Sequence, residues 1–178
     1  MKAMICTQYG PPDVLRLEEV DKPTPKKNEV LIKVRAASVN AGDWHLLRAN
    51  PFIVRLGIGL MKPKYKILGM DVAGTVESVG SEVKELKPGD EVFGDLSRCG
   101  FGAFAEYVCV PESELALKPI SVSFAKAAAI PTAGVTALQA LRDKGKIRTG
   151  QKVLINGASG GVGTFAVQSK WVPSDFCL

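Results

Sequence analysis

The chain has 178 residues, 46% hydrophobic and 23% charged, enough to bury one core and part of another and unlike a disordered chain. Its net charge of +5 suits an anionic ligand, but Lys22, Lys26 and Lys27, and likewise Lys62, Lys64 and Lys66, fall in turn or loop regions without an aromatic platform, so nucleic acid is not expected. No apolar run reaches the ~20 residues of a membrane span, and Cys6, Cys99, Cys109 and Cys177 form no C-x-x-C pair, which argues against a zinc knuckle, a redox pair or a disulfide framework and for a cytoplasmic location.

Residues 2–7 and 15–20 read as strands, closed by Gly10, Pro11 and Pro12 and then by Pro23 and Pro25. At 29–38, Val30, Ile32, Val34 and Ala36 alternate with Leu31, Lys33, Arg35 and Ala37, the period of a strand. Residues 40–50 predict a short helix, capped by Asn40 or Asp43 and ended by Pro51. A long loop, 51–66, follows; loops of that length are commonly functional. Leu47, Phe52, Ile53, Leu56 and Ile58 in this region would line an apolar pocket or pack into a core.

Residues 71–79 form a further strand, with Gly74 marking a bulge or a close backbone approach. Strands at 91–94, 104–110 (with Cys109 as a core residue) and 115–117 complete a set of short strands with Gly and Pro turns, which predicts a barrel or sandwich. Beyond Pro119 the texture changes. Ser123 caps a helix over 124–130, Pro131 interrupts it, and Val135, Leu138 and Leu141 continue as a helix over 132–144 that Gly145 stops. The expected domains are therefore 1–120 and 121–178.

Residues 153–168 read VLINGASGGVGTFAVQ: an apolar strand at Val153, Leu154 and Ile155, a turn of small residues, then a helix. Ala158, Gly160 and Gly163 have the spacing of a dinucleotide-binding turn, where the backbone approaches a pyrophosphate at a helix N-terminus. The residue that would read the adenosine ribose lies about 20 positions past Ala158, at Leu178.

Four stretches together carry a resemblance: SVNAGDWH (38–45), LGMDVAGTVESVG (68–80), KPGDEVFG (87–94) and NGASGGVGTFAVQ (156–168). The chain resembles the medium-chain dehydrogenase/reductase superfamily, most closely its zinc-independent quinone oxidoreductase branch. The resemblance implies an α+β fold, a GroES-like β-barrel domain over 1–120 followed by a Rossmann-type α/β domain begun in 121–178. It implies a nicotinamide cofactor, NADP(H) in preference to NAD(H), held by Ala158, Ser159, Gly160, Gly161, Val162 and Gly163, with Thr136 near the carboxamide. The alternative for Thr136 is a helix threonine bonding back to its own helix.

The zinc-dependent members resembled here carry a Cys ligand where this chain has Asn40 and a His where it has Met70. An amide and a thioether are poor zinc ligands, so no metal is expected. Hydrogen-bond donors must then polarise the substrate. Asn40, Asp43 and His45 are the candidate catalytic residues, with His45 as proton donor. Each has a plain alternative: a cap for Asn40, an N-terminal helix carboxylate for Asp43 and a surface ring for His45. The expected activity is hydride transfer to a quinone, an enone or an aldehyde. The alternative is a non-catalytic module that binds RNA or a partner chain, including a homo-oligomer that completes the fold. The family pattern ends at Gln168 and Pro173 breaks the helix, so the chain is expected to be a truncated form, inactive alone.

Overall fold

The structure is a computed structural model and describes residues 1–169. Pro173, Cys177 and Leu178 lie outside the described residues. The chain divides into two compact units, Met1–Ala129 and Ile130–Leu178.

In the first unit β1 (Lys2–Cys6) and β2 (Leu15–Glu19) form an antiparallel ribbon. β3 (Glu29–Ser38), β4 (Asp71–Val79), β5 (Glu91–Asp95), β6 (Tyr107–Pro111) and β7 (Leu115–Leu117) form one antiparallel sheet, ordered β6-β3-β4-β5-β7. β1 is tied to the segments that lead into β6 and β4 by hydrogen bonds from Met4 N–H to the Phe104 carbonyl (2.9 Å) and from Cys6 N–H to the Lys66 carbonyl (2.7 Å). The alternation in β3 holds in part, since Leu31, expected to share the outward face of Lys33 and Arg35, is 5% exposed; on the inward face lie the fully buried Val30 and Ile32. They join Val72, Val76, Val92, Leu96 and Val110 in the main core.

Gly74 lies opposite a bulge and makes a close backbone approach. The β3–β4 register shifts between Val34 and Ala36, opposite Gly74 and Ala73, and a Cβ at Gly74 would collide with the Lys33 carbonyl. The strand expected over 104–110 begins at Tyr107, because Phe104 is drawn into the bond with β1. Cys109 is half-buried rather than core, since β6 lies at the sheet edge.

After β3 the chain turns into α1 (Ala41–Arg48), and the region expected as a loop holds a 3-10 turn, Phe52–Val54, and the short α2 (Arg55–Ile58). Leu47 is buried with Cys6 and Leu68, whereas Phe52, Ile53 and Leu56 are exposed. Past β7, Ser123 caps α3 (Phe124–Ala128) by accepting from the Lys126 N–H at 3.3 Å. Ala127 and Ala128 pack on Ala73 of the sheet.

The second unit opens with α4 (Pro131–Leu138). Pro131 starts this helix rather than merely interrupting one, because a first-turn residue has no need of its missing N–H. The helix expected through Lys144 widens after Leu138 into a π turn, Gln139–Lys144, where the Gly145 N–H reaches the Ala140 carbonyl five residues back (2.8 Å). α5 (Gly161–Ser169) packs along α4, with Gly134 opposite Phe165 and Gly161 opposite Ala133. The expected strand at Val153, Leu154 and Ile155 is not formed, and Leu154 is 97% exposed. A strand needs a neighbour to satisfy its backbone groups, and among the described residues no strand lies beside this segment.

Candidate functional site

The β3–β4 register sets Ser38 opposite Asp71. Asp71 is fully buried, and its Oδ2 accepts from Ser38 Oγ at 3.0 Å and from Asn40 Nδ2 at 3.0 Å. The same Asn40 nitrogen donates to Ser38 Oγ at 3.2 Å, which closes a triangle. Asn40 is the N-cap of α1. Its backbone N–H donates to Asp43 Oδ2 at 2.8 Å, and Asp43 Oδ1 accepts the Gly69 N–H at 3.1 Å. Asp43 is only 3% exposed. Burial pushes its carboxyl above the usual aspartate range, the backbone N–H groups of Asn40 and Gly69 pull it back, and the nearby Asp71 charge pushes it up again. Asn40 and Asp43 thus join the end of β3, the start of α1 and the strand entering β4. Both amide hydrogens of Asn40 are engaged within the protein.

His45, one turn along α1, stands apart from this cluster. Its ring is exposed and meets Trp44 edge-on, with centroids 4.9 Å apart. Nδ1 lies 2.7 Å from the Asn50 carbonyl oxygen. A carbonyl only accepts, so it is Nδ1 that carries a proton in this contact.

The two positions that hold metal ligands in zinc-dependent relatives are filled differently. Asn40 Nδ2 faces Asp71, and Met70 lies over Gly42 so closely that a Cβ there would sit 2.6 Å from its sulfur. Among the described residues no group of three His, Cys, Asp or Glu side chains is arranged to hold a metal ion.

In the second unit the turn from Asn156 to Gly160 is exposed and leads into the N-terminus of α5. Gly157 has φ +73°, and a Cβ at Gly163 would fall 2.7 Å from Ala158 Cα. The turn is therefore built on its glycines, with the Gly160 N–H on the Gly157 carbonyl at 3.0 Å. The first turn of α5, Gly161, Val162 and Gly163, presents N–H groups that a helix leaves without internal partners, and Ala158 and Ser159 lie just before them. Ala158, Ser159, Gly160 and Gly161, small, exposed and backed by a helix N-terminus, fit a phosphate group, whereas Gly163 is buried against Ala158. Thr136, exposed on α4, donates its hydroxyl proton to the Thr132 carbonyl at 2.6 Å and retains lone pairs to accept.

Sequence reasoning missed Ser38 and Asp71. The available signal was an aspartate opening a strand directly before the apolar Val72 and Ala73, in DVAGTVESV. It also missed Lys118, which follows β7. Its side chain is 4% exposed, and Nζ pairs with Glu91 Oε2 at 2.9 Å and donates to the Pro119 and Val122 carbonyls at 3.0 and 2.6 Å.

Comparison with known proteins places this geometry. Residues 26–120 match the alcohol dehydrogenase GroES-like domain. A 2-methylene-furan-3-one reductase of Solanum lycopersicum is 44% identical over 177 residues, covering 94% of this chain and 43% of that protein. An NADPH-dependent alkenal/one oxidoreductase, chloroplastic, of Arabidopsis thaliana is 41% identical over 179 residues, 94% of this chain and 44% of that protein. The quinone oxidoreductase structure from Coxiella burnetii superposes with a TM-score of 0.83 at 39% identity, over 94% of this chain and 52% of that one. The chain spans about half the length of the curated relatives it matches. Joined to the barrel sheet and the glycine turn, these likenesses settle its kinship: the chain belongs to the medium-chain dehydrogenase/reductase superfamily, in its quinone oxidoreductase branch.

Proposed function

We propose that the protein acts as a zinc-independent oxidoreductase that uses NADPH to reduce a small quinone, enone or aldehyde. In this reading residues 1–120 serve the substrate and 121–178 the cofactor. The observation that carries it is one chain holding both a glycine-built phosphate cradle before α5 and, where zinc-dependent members would have metal ligands, Asn40 at the N-cap of α1 and Met70 just before β4. NADPH over NADH is supported by the name of the alkenal/one oxidoreductase relative. The printed names of the furanone reductase and the quinone oxidoreductase support the substrate class.

When bound, the reduced nicotinamide supplies the hydride. The backbone N–H groups of Gly161, Val162 and Gly163 would hold the diphosphate, helped by the α5 dipole and the Ser159 hydroxyl. Thr136 would accept from the carboxamide with a lone pair, its own hydroxyl proton being donated to the Thr132 carbonyl. Reduction would leave an oxyanion on the substrate, and His45, protonated on both ring nitrogens, would give it the Nε2 proton and remain as the neutral Nδ1–H ring. The Nδ1 bond to Asn50 fixes the ring that does so. Asn40 and Asp43 act as positioning residues, holding the start of α1 against β4 through Asp71 and Gly69.

The test is NADPH oxidation followed with a quinone, an enone and an aldehyde. Turnover with at least one of them is expected, and His45→Gln should lower kcat about 100-fold while leaving the KM for NADPH unchanged. Failure with all three overturns the reading. Unaltered kcat in His45→Gln removes His45 from it.

A further inference from the structure

Residues 44–70 differ in kind from the rest of the chain. They carry Arg48, Arg55, Lys62, Lys64 and Lys66 and no aspartate or glutamate, so these five charges equal the net +5 of the whole chain. The structure turns the apolar side chains of this segment outward: Phe52, Ile53, Leu56, Leu60 and Met61 are 64%, 68%, 76%, 56% and 87% exposed. Five large hydrophobics exposed within ten consecutive residues form a patch, whereas such residues elsewhere among the described ones lie mostly singly along the chain.

The charges in the segment are left unneutralised. None of the five cations belongs to an ion pair of the described residues. Three lie on aromatic faces instead: Arg48 over Trp44 at 5.1 Å, Arg55 over Tyr9 and Phe52 at 4.9 and 5.0 Å, and Lys64 over Tyr65 at 5.2 Å. A ring face orients a cation without cancelling its charge.

The segment is also a held platform. The Tyr9 hydroxyl reaches the Gly59 and Ile58 carbonyls at 2.6 and 2.9 Å. The Gly59 N–H donates to the Arg55 carbonyl at 2.9 Å and the Lys64 N–H to the Ile58 carbonyl at 2.7 Å. The apolar and basic side chains are thereby presented side by side on one short stretch.

We propose that this platform docks on the surface of an anionic lipid bilayer. Phe52, Ile53, Leu56, Leu60 and Met61 enter the boundary between headgroups and acyl chains, and the neighbouring lysines and arginines meet lipid phosphates. Charge complementarity selects this occupant. A second copy of the chain would bring five positive charges onto five, with no carboxylate in the segment to offset them. An uncharged apolar partner would leave the cations desolvated without a counter-charge.

The proposal is tested by sedimenting the full chain with phosphatidylcholine vesicles and with vesicles containing about one-third phosphatidylserine. The expected result is binding to the anionic vesicles alone, released as salt is raised. The double substitution Lys62→Glu with Lys64→Glu should weaken binding by about tenfold or more. Met61→Ser should also weaken it. Lys33→Glu with Lys126→Glu, which makes the same charge change on exposed residues outside the segment, should bind as the unsubstituted chain does. Circular dichroism of each variant confirms folding. Equal binding to neutral vesicles, no binding to either kind, or an equal loss in the Lys33 and Lys126 variant overturns the proposal. So does a solution mass of a dimer that Lys62→Glu with Lys64→Glu converts to monomer. None of these readouts depends on NADPH oxidation.

Discussion

At the scale of single residues, the buried polar groups define the joint that holds α1. Asp43 accepts two backbone N–H groups in a site that is 3% exposed. Asp43→Ala leaves both donors without partners, and each buried unsatisfied donor costs roughly 1–3 kcal/mol. Urea unfolding should register that loss as a lower midpoint. The same residue sets a pH dependence. Burial raises its pKa above the ordinary 3.8, so the folded state holds the proton to higher pH than the unfolded state does. Its contribution to stability is therefore fully present below 3.8 and is lost as pH rises through the higher folded value. Asp43→Asn, neutral throughout, should flatten this decline in unfolding free energy across the same window.

Lys118 is the other residue whose role comes from burial. Three oxygens match its three donors, and its ammonium also lies 5.2 Å from the Phe124 ring. Lys118→Met keeps the stem but strips donors from two carbonyls. The expected cost is about 1–3 kcal/mol by chemical denaturation.

At the scale of elements, the pairing of β3 with β4 governs the candidate site. Their register puts Ser38 across from Asp71, and the shift at Val34 and Ala36 requires a glycine at position 74. Gly74→Ala drives a methyl into the Lys33 carbonyl and against Ile32 Cγ2 at 2.6 Å. Overpacking of this kind costs about 1–3 kcal/mol, readable as a fall in Tm. Most elements were legible in the sequence because they depend on local signals. The two-residue period marked β3, Asn40 with Asp43 marked α1, and Ser123 marked α3. The misses share a cause. The apolar run at Val153 has strand composition, but composition supplies no partner, and a ladder takes two strands. The π turn after Leu138 was equally hidden, since a 3.6-residue pattern does not reveal a five-residue hydrogen bond.

Across the whole molecule, stability is expected to be uneven. The core strands bury Val30, Ile32, Val72 and Val92 completely, whereas 151–160 carries one internal turn and largely exposed side chains. Hydrogen exchange should find the slowest amides in β3 and β4 and the fastest in 151–160, where few hydrogen bonds protect the backbone. Protection of 153–155 equal to that of β4 would contradict this.

The sequence by itself determined the short-strand character of the first unit, the helix starts and the glycine spacing before α5. Each of these follows from side-chain period, capping chemistry or the absence of a Cβ, all of which act over a few residues. Only the tertiary structure decided where Asn40 points, because Asp71, 31 residues away in the chain, is brought to it and to the neighbouring Ser38 by strand register. It alone separated Leu47 from Phe52, Ile53 and Leu56, apolar residues of one region, the first in the core and the others on the surface. Hydrophobicity states that a side chain gains by burial, while the arrangement of β1, α1 and the strand entering β4 settles which of them is covered.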